Sequence, residues 1–111
     1  MVRINGIEFE LDLSNIETRN NTQISILSFN YYVDQLEKEE LSEFDKQIRR
    51  EAALCIVLNN VLGPGADKKI FRGYIDQYIS YSVALQFNKE VEKILKDNKG
   101  ILIEFPRKKE I

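Results

Sequence analysis

A chain of 111 residues has volume for one core, and 43% hydrophobic with 31% charged residues argues against a disordered chain. No apolar run nears the roughly 18 residues that a membrane span needs, and a net charge of -2 disfavours nucleic acid as the main ligand. With no histidine and one cysteine, the chain lacks the commonest general base, the commonest metal ligand, every Ser/His or Cys/His pair and any internal disulfide, so protein binding without a cofactor is expected and catalysis is not.

The opening run, VRINGIEFELDL, reads as a β-hairpin. Val2 and Ile4 share one face before the turn, and Ile7, Phe9, Leu11 and Leu13 share one after it. Asn5 and Gly6 supply the two positive φ angles of a two-residue type I′ turn, while Glu8, Glu10 and Asp12 fill the opposite, solvated face. Because polar and apolar residues alternate from Met1, this run is not read as a secretory signal, and a cytoplasmic protein is expected.

Two strands alone are marginal, so the hairpin needs helices to lie on. Ser14 and Glu17 have capping-box spacing and predict a helix to about Lys38, with a fray or break at Asn20 and Asn21. Along it Ile24, Leu27 and Tyr31 fall at helical spacing beside Phe29, Val33 and Leu36. Ser42 with Asp45 repeats the cap and starts a second helix, which carries Phe44, Ile48, Ala52, Cys55 and Leu58 or Val61 on one side. From Ala52 to Leu58 that helix is apolar all round, which marks it as the central element and Cys55 as buried and inert.

Gly63, as a left-handed cap, and Pro64, which cannot continue a helix, stop the second helix. Asp67 is read as the cap of a short turn through Phe71, followed by a third long helix from Tyr74 to Lys96. This helix points mainly Ile75, Tyr78, Ile79, Ser82, Leu85, Val91 and Leu95 inward and closes at Gly100. The last segment reads as a strand from Ile101 to Phe105 stopped by Pro106. Its apolar face of Ile101, Ile103 and Phe105 either completes the sheet with the hairpin or is offered to a partner by strand addition. The expected architecture is one α+β domain: a hairpin over 1–13, a three-helix body over 14–100, and a C-terminal strand with a basic tail over 101–111.

Two constellations invite chemistry and are set aside. Gly63, Pro64 and Gly65 before Asp67, Lys68 and Lys69 lack the spacing and the hydroxyl of a phosphate-binding loop and read as a helix-to-helix turn. Tyr31, Tyr32, Tyr74, Tyr78 and Tyr81 have no basic groove beside them, so core or helix-contact roles are expected instead of base stacking.

The segments INGIEFELDL, from Ile4 to Leu13, and LGPGADKKIFRG, from Leu62 to Gly73, together resemble the tail assembly chaperones of long-tailed phages and prophages of Gram-positive bacteria. The likeness is strongest at Asn5, Gly6, Phe9, Gly63, Gly65, Lys69, Ile70 and Phe71, residues whose role in the motif is structural. It implies a protein that binds the long, helical tape measure protein and keeps it soluble in the bacterial host cell until tail tube subunits polymerise around it. It also leaves room for self-association. Proteins of this kind are often made in two lengths by ribosomal slippage, and Lys108 with Lys109 is a pair whose codons could support it. The alternative expectation is a structural phage protein, a tail completion or head-tail connector subunit retained in the virion.

Overall fold

A computed structural model describes residues 1–97 of the chain. The described residues are mostly helical: a two-stranded antiparallel hairpin, β1 (Val2–Ile4) and β2 (Ile7–Phe9), precedes four helices, α1 (Ile16–Glu37), α2 (Glu43–Leu62), α3 (Ala66–Phe71) and α4 (Gln77–Asp97). The expected strand over 101–105 and the helix stop at Gly100 lie outside them.

The hairpin forms as its sequence dictates. Val2 faces Phe9, Arg3 faces Glu8 and Ile4 faces Ile7, leaving two residues for the turn. Asn5 and Gly6 there adopt φ of 51° and 77°. Val2, Ile4, Phe9, Leu11 and Leu13 are buried, although the strand itself ends at Phe9. An added Cβ at Gly6 would meet no atom within 4 Å, so a side chain there is opposed by backbone strain alone. Gly6→Val is expected to cost about 1–3 kcal/mol, read as a lower melting temperature. An unchanged melting temperature would show that the turn tolerates a β-branched residue.

The outer edge of β1 is covered by α4. The Arg3 N–H donates to Glu90 Oε1 and the Asn5 N–H to Gln86 Oε1, both at 2.8 Å. The match is geometric: alternate residues of a strand lie about 6.6 Å apart, and one helical turn rises about 5.4 Å. A helix thus satisfies an edge that would otherwise be open to another strand.

α1 and α2 form an antiparallel pair, since Asn21 Nδ2 donates to the Asn60 carbonyl at 2.7 Å near one end and Lys46 Nζ to the Glu37 carbonyl at 3.1 Å near the other. The first contact explains why α1 runs unbroken through Asn20 and Asn21, contrary to their propensity: tertiary packing holds the helix. Its cap is Asn15, whose side chain accepts from the Thr18 N–H, and not Ser14, whose hydroxyl donates to Asp12. That bond holds the Asp12 carboxyl below its ordinary range. Ser42 caps α2 as expected, accepting from the Asp45 N–H; Gly63 ends it with φ of 110° and ψ of 156°, an extended conformation at positive φ instead of the expected left-handed cap, which glycine alone adopts freely.

The short turn after Gly65 is a fourth helix. Asp67 does not cap it; the Asp67 N–H instead donates to Asn59 Oδ1 of α2 at 3.0 Å. Asp76 starts α4, accepting from the Ile79 N–H through its side chain and from the Ser80 N–H through its carbonyl, so this helix begins three residues later than its periodicity suggests.

The core joins the hairpin face to one side of each helix, with Ile26, Leu54, Val57, Leu58, Val61, Ile70, Val83, Phe87 and Val91 among its buried members. Several residues expected inward face solvent instead: Ile24, Leu27 and Tyr31 on α1, Phe44, Ile48, Ala52 and Ile56 on α2, and Tyr78, Ser82 and Leu85 on α4. The physical reason is the same in each helix. Each long helix carries two apolar stripes, and the core takes only one of them. No helix of the described residues is long and apolar enough to cross a membrane.

Candidate functional site

A groove of about 710 Å³ opens among the described residues, with α2 between its two walls. α1 supplies Ile26, Phe29, Asn30, Val33, Asp34 and Glu37. α2 supplies Gln47, Arg50, Leu54 and Val57, and α4 supplies Gln77, Tyr78, Ser80, Tyr81, Ala84, Phe87 and Asn88. Ile26, Leu54, Val57 and Phe87 also belong to the core, so the floor of the groove is continuous with it. Its accessible apolar surface comes from the next positions round each helix. Phe29, Val33 and Ala84 are half-buried, while Tyr78 and Tyr81 are 82% and 52% exposed.

Polar groups are tied together across the groove. Arg50 donates through Nε and Nη2 to Gln47 Oε1 and lies 4.0 Å from Glu43. Gln47 in turn donates to Glu51 and, at 3.4 Å, to the Ser80 hydroxyl of α4. The network links α2 to α4 through Gln47 and Ser80. Asp34 and Glu37 stand on the α1 wall, both exposed.

The expected motif residues are brought together elsewhere. Asn5 Nδ2 donates to the Ile70 carbonyl at 3.3 Å, and Asn5, Ile70 and Phe71 line a small cleft with Arg72, Tyr74, Ile79 and Ser82. Phe9, Ile70 and Phe71 are buried in the common core, Gly63 and Gly65 hold positive φ in the α2–α3 connection, and Lys69 is exposed. The Asn5–Ile70 bond docks the hairpin turn on α3. Ile101, Ile103 and Phe105, expected as a partner-binding face, lie outside the described residues. All five tyrosines are exposed, so core roles for them are overturned.

Cys55 is half-buried, not fully buried. Burial first, and then the Asp67 carboxylate beside it, push its thiol from an ordinary 9.0 up to about 11. At neutral pH this leaves about a hundredfold less thiolate than in a free thiol, so native labelling by iodoacetamide is expected to be about a hundredfold slower than in urea. Labelling at the unfolded rate would show an open thiol. The raised value also sets a sign: the stabilisation is full below about pH 9 and is lost as pH rises through about 11.

Among the described residues no cluster of Cys, Asp and Glu could hold a metal ion. Periodicity could not reveal the groove, because its lining mixes buried core residues such as Phe87 with exposed ones such as Tyr78. They become a site only when three helices are placed side by side. No protein-family model, curated protein or solved structure matches this chain.

Proposed function

We propose that this domain is a binding protein without catalytic activity, a tail assembly chaperone of a long-tailed bacterial virus. It holds the tape measure protein soluble in the host cytoplasm before tail tube subunits polymerise. The observation that carries the reading is the apolar groove between α1, α2 and α4, with Phe29 and Val33 on one wall and Tyr81 and Ala84 on the other. A long helical protein awaiting assembly exposes apolar faces that aggregate unless covered, and a groove between helices takes such a face. The resemblance at Asn5, Gly6, Phe9, Gly63, Gly65, Lys69, Ile70 and Phe71 supplies the family. Co-expression with the phage tape measure protein tests the reading: the expected result is a soluble complex that copurifies, and an insoluble tape measure in the presence of soluble domain would refute it.

A second reading has its own observation. The apolar stripes outside the groove, Ile24, Leu27 and Tyr31 on α1 and Phe44, Ile48 and Ile56 on α2, are exposed to an extent that permanent neighbours in a particle would cover. A tail completion or connector subunit retained in the virion would bury them. A chaperone is expected to be missing from purified virions, whereas a structural subunit is present at fixed copy number.

A further inference from the structure

We propose that the groove selects its client by charge as well as by shape. The segment it takes is an amphipathic α-helix whose apolar stripe is flanked by Lys or Arg on the side that meets α1. This deepens the chaperone reading and rests on the groove being the place where the client is held.

The shape argument starts from the walls. On α1 the lining runs from Ile26 to Glu37 and on α4 from Gln77 to Asn88, so each wall is about 16 Å long at about 1.5 Å per residue. Equal walls of three turns suit a third rod laid between them, meeting them with residues at i, i+4, i+7 and i+11. An extended strand would find no main-chain partners there, because both walls are helices whose backbone groups bond internally. The exposed edge of β1, which could otherwise take a strand, is occupied by Gln86 and Glu90.

The charge argument is asymmetric. Asp34 and Glu37 line the α1 side and neither makes an ion pair among the described residues. The α4 side presents Gln77 and Asn88 beside its tyrosines and carries no charge. Arg50, the one cation among the described lining residues, is engaged by Gln47 and neighboured by Glu43, and Lys46, whose ammonium donates to the Glu37 backbone carbonyl at 3.1 Å, makes no ion pair with the Glu37 carboxylate. A helix with acidic flanks would meet like charge on one side. One with basic flanks finds two carboxylates at the spacing of one helical turn.

The test uses the full chain and three synthetic helical peptides of about 18 residues, alike in a Leu/Ala stripe and flanked by Lys, Gln or Glu. At low salt the Lys-flanked peptide is expected to bind about three- to tenfold tighter than the Gln-flanked one and the Glu-flanked peptide weakest, with the gaps closing at high salt. Asp34→Lys with Glu37→Lys, both at exposed positions, is expected to reverse the order while circular dichroism stays unchanged. Equal binding of all three peptides, or an order unaltered by the double substitution, overturns the proposal. So does a dimer of the chain, seen in sedimentation, that the Lys-flanked peptide fails to dissociate, since a second copy would then own the groove. If the charge order holds but the tape measure protein is not solubilised on co-expression, the chaperone reading falls and the charge-selective groove stands. If no peptide binds while the tape measure is solubilised, the groove proposal falls and the chaperone reading stands.

Discussion

Leu58→Ala is expected to destabilise the domain by about 2–5 kcal/mol, because truncation removes apolar contacts and leaves a cavity that a packed interior closes only in part. Leu58 is 0% exposed and sits in the core that joins the hairpin face to α2 and α4. Domains of this size are stable by only about 5–15 kcal/mol, and about 1 kcal/mol shifts the midpoint by about 4–8 °C, so a fall of about 8 °C or more is expected. Ile56→Ala is the matched control. It stands two residues away on the same helix but is 61% exposed, and its truncation is expected to change stability by less than about 0.5 kcal/mol. Denaturant titrations of both variants check the contrast, with the midpoint moved and the slope kept for Leu58→Ala. Equal effects at the two positions would mean that α2 is turned about its axis relative to the arrangement described.

The same pair of residues shows what the sequence can and cannot disclose. Ala52 to Leu58 is apolar throughout, and no periodicity within such a run selects Leu58 over Ile56. On α1 the choice is harder still. Ile24, Leu27 and Tyr31 satisfy the helical template as well as Ile26, Phe29, Val33 and Leu36 do, yet Ile26 and Leu36 are the ones buried, together with Thr22 and Ser25, while Phe29 and Val33 are half-buried. Buried Thr22 is tolerable because its hydroxyl donates to the Thr18 carbonyl at 2.8 Å, a local solution that hydrophobicity does not register. Local chemistry was legible where one residue type has few alternatives. Asn5 with Gly6 makes the turn, Ser42 caps α2, and Gly63 with Pro64 ends it. It failed where two good caps stood side by side, Ser14 being drawn to Asp12 and Asn15 left to cap.

These duplicated stripes also bear on function. A helix that needed only to fold would present one apolar face and a polar remainder. α1 presents Ile24, Leu27 and Tyr31 outside its core face, and α4 presents Tyr78, Tyr81 and Leu85. Tyr78 and Tyr81 wall the groove, whereas Ile24 and Leu27 are not among its lining residues. The surface thus offers two kinds of apolar ground, one concave and built by three helices, the other convex and belonging to a single helix. Concave ground surrounds an apolar side chain on several sides and removes more of its surface from water, which favours the groove as the client site.

Ala84→Arg is therefore expected to abolish capture of the tape measure protein while leaving the fold in place. Ala84 lines the groove from α4, half-buried and with no polar partner to lose. Arginine keeps helix propensity close to that of alanine, and its long stem can turn its charged end to water, so the stability change is expected to stay near 0.5 kcal/mol. That same stem occupies the space a client side chain needs, and its charge penalises an apolar face. Loss of capture by tenfold or more is the expected reading, a change of about 1.4 kcal/mol or greater in binding. Val33→Arg blocks the opposite wall and is expected to act alike, which guards against a defect peculiar to α4. Ile24→Arg places the same side chain on the convex stripe of α1, where it is 63% exposed and outside the groove. Pull-downs from co-expressing cells compare the three variants, with circular dichroism confirming each fold. If Ile24→Arg eliminates capture while Ala84→Arg and Val33→Arg retain it, the client lies on the outer face of α1 and the groove is not its site.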